Sequence, residues 1–236
     1  MREGLPKPRP YPGLWHYHPL VAKRVLHDKY FKLAKAEGYL ARSAYKLLEL
    51  DSRFKLIRKR SRILDIGCAP GSWLQVAAER VGEEGRVVGI DLKRVDHRMP
   101  KVVFTIVGDL ERTSPEILTE PAGGLFDLVL SDMAPNTSGH GDDLVSARLC
   151  RSVLALLPGL LAPGRGLAMK ILEGQEYPGV LRETKRLFRD ARGFKPKASR
   201  DASREMFIVG KGYKGPTVRR EGAGMQPDGP MDGASG

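Results

Sequence analysis

The order of hydrophobic and polar positions along the chain predicts two helices, followed by an alternation of strands and helices. From about Asp28 to Leu50, apolar residues recur at helical spacing with a break near Gly38, which predicts two basic helices. Runs of apolar and β-branched residues then predict six strands, in RILDI, RVVGID, KVVFTIVGD, FDLVLSD, GRGLAMKIL and REMFIVGKGY. Helical spacing predicts further helices in SWLQVAAERVG, DDLVSARLCRSVLALLPGLL and GVLRETKRLFRDA.

This alternation indicates an α/β fold with a mostly parallel sheet. Parallel strands need crossover connections, and helices in those connections cover both faces of the sheet. Residues 1–27 are predicted to be a partly mobile N-terminal extension, because Pro and charged residues are frequent in their first half. Residues 28–214 are predicted to form the folded domain. Residues 215–236 have few apolar side chains to bury and are predicted to be a disordered tail.

Charge is distributed unevenly along the chain. The formal net charge is +12, of which residues 1–60 contribute +10, residues 61–180 contribute −4 and residues 181–236 contribute +6. Basic flanks around a mildly acidic centre suit a protein whose centre holds a small, even cationic, ligand while its flanks hold a polyanion. A generally basic, soluble surface would give the same total, so the charge alone leaves both interpretations open.

Composition also excludes several classes of protein. No segment reaches the ~18 consecutive apolar residues that a membrane helix needs, and the N-terminus has no apolar core of a secretion signal. The two cysteines lie far apart, and neither they nor the five histidines show metal-ligand spacing. We therefore expect a cytoplasmic protein with reduced thiols, no membrane association and no bound metal.

Five of the predicted strands end in or beside a charged residue. Ligands of open parallel sheets bind outside the carboxyl ends of the strands, so these residues are expected to face one site. A single acidic residue at such a position is often only a turn or helix cap. Five charged residues beside a glycine-rich loop favour a binding or catalytic site instead. They are Asp65, Asp91, Asp109, Asp132 and Lys170.

The first predicted strand is followed by the loop Gly67-Cys68-Ala69-Pro70-Gly71. Its glycines allow a tight turn and leave room for a ligand, and the next helix directs its positive N-terminus toward that space. Asp91 is placed to bind a pair of ribose hydroxyls, and Asp109 could meet an adenine edge. Trp73 is expected to form an apolar wall.

This pattern permits two nucleotide cofactors. A nicotinamide dinucleotide normally requires the spacing G-x-G-x-x-G around its pyrophosphate, and the present loop lacks that spacing and contains Pro70. A nucleoside without phosphates, such as S-adenosylmethionine (SAM), fits the loop better. SAM is therefore the expected cofactor, and NAD is the alternative.

Four segments resemble the FtsJ/RrmJ (RlmE) family of SAM-dependent ribosomal RNA ribose methyltransferases: DIGCAPGSW, SDMAPNTSG, LAPGRGLAMKIL and ASREMFIVGKG. The resemblance extends from about Asp28 to Lys214. It implies a Rossmann-like methyltransferase with a mostly parallel seven-stranded sheet and helices on both faces. By motif, the catalytic tetrad that it implies is Lys46, Asp132, Lys170 and Glu205. The implied SAM contacts are Gly71, Trp73, Asp91, Asp109 and Asp132.

The same resemblance implies a reaction and a partner. The expected reaction is methyl transfer from SAM to the 2′-hydroxyl of a uridine ribose in 23S rRNA, presented in the assembled 50S particle to a monomeric enzyme. The basic flanks would bind RNA phosphates, and Tyr30, Phe31 and Tyr39 could either stack on unpaired bases or pack in the core. A tRNA ribose methyltransferase and a non-catalytic RNA-binding assembly factor are the alternatives.

Lys170 is the residue that the resemblance places at the acceptor hydroxyl. A hydroxyl attacks a methyl group readily only as its proton is removed, and Lys170 is the candidate base. Burial and the neighbouring Lys46 would favour the neutral amine that a base requires, whereas Asp132 and Glu205 would favour the charged ammonium. A charged Lys170 would instead orient the hydroxyl and stabilise the negative charge that develops on its oxygen.

Overall fold

The structure is a computed structural model that describes residues 21–135, 141–199 and 203–216, with side chains from residue 29 onward. Residues 217–236 of the predicted tail (215–236) and residues 1–20 of the predicted extension (1–27) lie outside the described residues. The helices are α1 (Val21–Glu37), α2 (Ala44–Phe54), α3 (Ser72–Val81), α4 (Pro115–Ala122), α5 (Asp142–Leu160) and α6 (Tyr177–Leu187), with a short 3₁₀ helix at Leu110–Arg112. The strands are β1 (Arg62–Ile66), β2 (Arg86–Asp91), β3 (Val103–Val107), β4 (Phe126–Ser131), β5 (Leu161–Leu172), β6 (Phe188–Phe194) and β7 (Glu205–Tyr213).

The seven strands form one sheet in the order β3-β2-β1-β4-β5-β7-β6. Neighbouring strands from β3 to β5 are parallel, whereas β7 is antiparallel to both β5 and β6. The predicted α/β class and the mostly parallel seven-stranded sheet are confirmed. The strand order reverses between β1 and β4, and a crevice at the carboxyl ends of strands at such a point is where ligands of this fold class bind.

Both faces of the sheet are covered by helices, as expected. The residues of β1 alternate between two hydrophobic clusters: Ile63 belongs to the cluster formed with α2 and α3, and Leu64 belongs to the cluster formed with α4, α5 and α6. Both side chains are fully buried. A central parallel strand with apolar residues on both faces is typical of a sheet between two helical layers.

The segment GVLRETKRLFRDA, which the pattern predicts as one helix, contains a helix and the start of a strand. α6 ends at Leu187, and β6 begins at Phe188 and pairs antiparallel with β7. Phe188 and Ala191 are buried in the core. Pairing with β7 and burial outweigh the local helical spacing, so the prediction was wrong for its last residues. β6 is also the seventh strand, which the pattern alone did not predict.

Three further helices, α1, α2 and α4, can be compared with the sequence pattern. α1 and α2 lie on either side of Gly38 as predicted, and α1 begins at Val21, before the expected domain start at Asp28. α4 was not predicted, although Pro115 in its first turn and Gly123 just after its end are typical helix boundary signals.

Within the described ranges, no helix is both long and apolar enough to cross a membrane.

Candidate active site

The glycine-rich loop connects β1 to α3 and lies against the end of β4. Gly67 has a φ of +76°, and a Cβ atom on it would lie 2.9 Å from Met133 Cγ. Gly71 precedes α3 with a φ of +112°. The Ala69 amide donates to Asp91 Oδ2 at 2.9 Å, which ties the loop to the end of β2. Glycine is therefore favoured at both positions by conformation, and at Gly67 also by the close approach of Met133, just after β4.

A cavity of about 440 Å³ opens beside this loop at the carboxyl ends of the strands. Three predicted site residues line it: Asp91, Asp109 and Asp132. The two oxygens of Asp91 accept backbone N–H groups from Ala69 at 2.9 Å and Lys93 at 2.8 Å. Asp109 Oδ1 accepts the N–H of Glu111 at 3.0 Å. These bonds orient the two carboxylates, and each oxygen can still accept another hydrogen bond from a ligand.

Gly71 and Trp73, the other two predicted cofactor contacts, do not line this cavity. Trp73 is only 2 % exposed, its Nε1 donates to the Ser43 carbonyl at 2.8 Å, and its ring lies 5.8 Å from that of Phe207. The indole is thus directed into the core and does not form the expected wall, while a cofactor contact at Gly71 or Trp73 stays a prediction. The apolar side chains that line the cavity include Ile66, Ile90, Leu92, Met133 and Val145.

The four residues of the predicted tetrad lie together at the same edge of the sheet. Lys170 Nζ is 2.9 Å from Asp132 Oδ1, donates to the Asp132 carbonyl at 2.6 Å, and is 3.9 Å from Glu205 Oε1. Lys46 Nζ, from α2, donates to Glu205 Oε2 at 2.7 Å. The structure therefore brings residues from α2, β5, β7 and the end of β4 into one chain of ion pairs.

Burial and charge shape this cluster together. The side chains of Lys46 and Lys170 are 7 % and 6 % exposed. Burial alone would favour the neutral form of Glu205. The attraction and hydrogen bond of Lys46, followed by Lys170 and the Ser203 hydroxyl, outweigh burial and hold the pKa of this carboxyl below its ordinary value. Glu205 is therefore a stable anion between two lysines.

Asp65 is a buried acidic residue that the tetrad does not include. It lies on β1 with no exposed surface, and neither carboxylate oxygen has a hydrogen-bond partner among the described residues. Burial, and then the charges of Asp132 and Asp91, raise the pKa of Asp65 well above its ordinary value. The sequence placed Asp65 at a strand end with the other acids, but it could not show that this one is sealed from the cavity.

One face of α5 forms a cavity wall that the sequence did not predict. The residues of this wall are Val145, Arg148, Leu149 and Ser152. Their spacing marks one face of a helix but does not show what that face meets, because the position of α5 depends on the whole sheet. Arg148 joins Lys93 as a cation among lining residues that also include several carboxylates.

The arrangement joins two chemical environments at one residue. Asp132 lines the cavity beside the glycine-rich loop, and it also holds the ammonium group of Lys170. A nucleoside-like donor in the cavity and a hydroxyl acceptor beside Lys170 would therefore lie next to each other. Such an arrangement suits group transfer between two bound molecules, since much of the rate comes from holding the reacting atoms in line.

Comparison with known proteins shows which family the chain is similar to. The model of the family described as FtsJ-like methyltransferase matches residues 39–213. The ribosomal RNA large subunit methyltransferase E of Syntrophobacter fumaroxidans is 44 % identical over 189 residues, which are 78 % of this chain and 95 % of that protein. The protein of the same name from Desulfatibacillum aliphaticivorans is 42 % identical over 195 residues, 82 % of this chain and 94 % of its own length.

Solved structures show the same relationship. A crystal structure of a ribosomal RNA methyltransferase from Plasmodium falciparum superposes with a TM-score of 0.67 and 31 % identity, covering 75 % of this chain and all of that one. A fibrillarin/Nop5p complex, at 16 % identity and a TM-score of 0.56, shares the fold. The family match covers most of the described domain, and the curated relatives match over nearly their whole length. The chain therefore belongs to the FtsJ-like methyltransferase family.

Proposed function

We propose that this protein is a SAM-dependent methyltransferase that modifies the 2′-hydroxyl of a uridine ribose in the 23S rRNA of the large ribosomal subunit. The observation that carries the proposal is the double role of Asp132, which lines the donor cavity and holds Lys170. Relatives named ribosomal RNA large subunit methyltransferase E, at more than 40 % identity, support this substrate class.

The residues of the cavity fit SAM. Carboxylates outnumber cations by four to two among the side chains that line the cavity, whose walls are otherwise largely apolar. SAM carries cationic sulfonium and ammonium groups, which carboxylates attract. Asp91 would hold the ribose hydroxyls and Asp109 the adenine edge. Gly71 and Trp73 do not line the cavity, so any contact they make with SAM would come from the backbone at the start of α3. When bound, SAM supplies a methyl group on a positively charged sulfur.

Lys170 would act on the acceptor. The carboxylate and the carbonyl of Asp132 both bind its Nζ, so this nitrogen is held next to Asp132 at the edge of the cavity. As an amine it would take the proton of the 2′-hydroxyl. As an ammonium it would donate to the hydroxyl oxygen and stabilise its developing negative charge. Lys46 and Glu205 would orient Lys170 and the ribose.

The basic N-terminal helices would bind RNA phosphates. Lys29, Lys32 and Lys35 of α1 are exposed, and so is Phe31, with 59 % of its surface accessible. Tyr30 instead packs against Tyr45, with 5.4 Å between the ring centroids. Phe31 is therefore the better candidate for stacking on an unpaired base, with lysines beside it to contact the phosphates.

Methyl transfer to defined RNAs tests the proposal. The purified protein is incubated with SAM labelled in its methyl group and with large ribosomal particles from cells that lack the protein, free rRNA or tRNA. We expect label in the rRNA of the particles, at one 2′-O-methyluridine after nucleoside digestion. Label confined to tRNA would favour a tRNA methyltransferase. SAM binding with no label in any RNA would favour a non-catalytic assembly factor, and either result would overturn the proposal.

A further inference from the structure

The loop between β6 and β7 leaves and re-enters the sheet at the edge that carries the tetrad. β6 ends at Phe194, and β7 begins at Glu205, which is paired in register with Leu172 at the end of β5. The loop therefore starts and ends at the carboxyl end of β5, and its last residue precedes Glu205 directly. Its described part, residues 195–199 and 203–204, is one border of the acceptor side of the site.

A carboxylate on α2 anchors this loop. The backbone amides of Lys197 and Ala198 donate to the two oxygens of Glu49, at 3.0 and 3.2 Å. Glu49 is three residues after Lys46, so both side chains lie on one face of α2. The same helix thus holds the start of β7 through Lys46 and Glu205 and the preceding loop through Glu49.

The anchored loop exposes two lysines and buries the residues next to them. Lys195 and Lys197 are exposed, whereas Pro196, Ala198 and Ser199 are buried. Among the described residues, neither lysine has an ion-pair partner. The backbone that carries these two cations is therefore held next to the partly buried Lys46–Glu205 pair, and their exposed, strongly hydrated ammonium groups have no role in packing.

We propose that Lys195 and Lys197 bind phosphodiester groups of the acceptor RNA next to the target ribose, and that Glu49 sets their position. This inference rests on the proposed function. A ribose that presents its 2′-hydroxyl to Lys170 carries phosphates on both sides, so these phosphates enter the site together with it. The loop is the described basic element nearest in the chain to Glu205. It would distinguish a nucleotide within a strand from a free nucleoside.

Replacing both lysines tests the phosphate contacts. For K195A/K197A we expect RNA affinity in filter binding to fall at least about ten-fold at 0.1 M salt, with a salt slope shallower by about 1.4 to 1.8. The Michaelis constant for RNA should rise, while turnover at saturating RNA and SAM affinity stay unchanged. The matched control is K59A/K101A, which removes two exposed lysines at the opposite edge of the sheet. Equal losses in both variants would overturn the proposal.

Glu49→Gln separates position from charge. This change raises the net charge by one, so a purely electrostatic surface would bind RNA more tightly. If Glu49 instead anchors the loop, the variant should bind RNA less tightly, because one amide oxygen replaces two carboxylate acceptors and the loop loosens.

We expect weaker RNA binding and about ten-fold faster trypsin cleavage after Lys197 in Glu49→Gln. Neither effect should occur in the exposed control Glu83→Gln. Tighter RNA binding or unchanged cleavage would overturn the role of Glu49. Cleavage and filter binding require no methyl transfer, so these results are independent of the proposed reaction.

Discussion

At the scale of single residues, the charges of the tetrad cancel, whereas a buried carboxyl group at the same sheet edge has no partner among the described residues. Lys46 and Lys170 are paired with Glu205 and Asp132, so the formal charges of these four side chains cancel. Asp65 is a fifth ionisable group at the same sheet edge and has no hydrogen-bond partner among the described residues. An unpaired buried carboxylate is costly, which is why the neutral form of Asp65 is favoured.

Lys170→Ala should abolish methyl transfer and leave SAM binding close to that of the wild type. The lysine contacts Asp132 at the cavity edge but does not line the donor cavity. Loss of a group that moves or holds the acceptor proton lowers turnover by about 100-fold or more. Single-turnover kinetics measures the first effect and calorimetry the second, with Lys59→Ala as an exposed control. Activity retained in Lys170→Ala would remove this residue from the acceptor chemistry.

Asp65→Asn should change the pH dependence of stability. Because the folded pKa of Asp65 is raised, the folded protein keeps a proton that the unfolded chain releases above pH 3.8, the ordinary carboxyl value. As the pH rises from about 4 toward the raised pKa, the free energy of unfolding of the wild type therefore falls relative to that of Asp65→Asn. The fall is at most about 1.4 kcal/mol for each pH unit.

Thermal or urea unfolding at pH 4 and pH 8 measures this difference. Asp65→Asn should gain stability over the wild type on going from pH 4 to pH 8. The control Asp96→Asn, on an exposed loop, should follow the wild type at both pH values. A constant difference between Asp65→Asn and the wild type would show that Asp65 is ionised in the folded protein throughout this range.

At the scale of elements, the strand ends could be predicted because a parallel sheet aligns them. The rule that ligands bind at carboxyl ends led directly to Asp91, Asp109 and Asp132, which line the cavity. β6 could not be predicted from its own residues, since its pairing with β7 decides its conformation. The direction of Trp73 was missed for a related reason: Ser43 and Phe207, which hold its indole, come from other parts of the chain.

Removal of α1 should weaken RNA binding while the catalytic residues stay in place. The described side chains of α1 are mostly exposed, with Ala34 buried and Tyr30 and Glu37 contacting Tyr45. Deletion of residues 1–37 removes exposed lysines and Phe31 but keeps Lys46. We expect RNA affinity in filter binding to fall at least about ten-fold at 0.1 M salt, with SAM affinity unchanged.

Deletion of residues 217–236 is the matched control for this truncation. That segment contains Arg219 and Arg220 against Glu221, Asp228 and Asp232, so its loss does not reduce the net positive charge. RNA affinity in this variant should stay near that of the wild type. Wild-type RNA affinity after deletion of residues 1–37 would contradict the phosphate-binding role of the N-terminal helices.

At the scale of the whole molecule, the fold brings together residues that are distant in sequence. Lys46 and Glu205 are 159 residues apart and form a hydrogen bond of 2.7 Å. Composition and periodicity give no reason to connect them, and only the resemblance to a family placed them in one site. The charge distribution has a counterpart in the fold, because the acidic centre contributes the cavity and the basic N-terminal flank contributes exposed α1.

Calorimetric titration of the full-length protein with SAM and, in parallel, with NAD is the most direct test of the central claim that the cavity binds a sulfonium donor beside Lys170. We expect saturable binding of one SAM per chain, weaker binding of SAM to Asp91→Asn, and no binding of NAD, because the glycine-rich loop lacks the pyrophosphate spacing. Binding of NAD without binding of SAM would contradict the account.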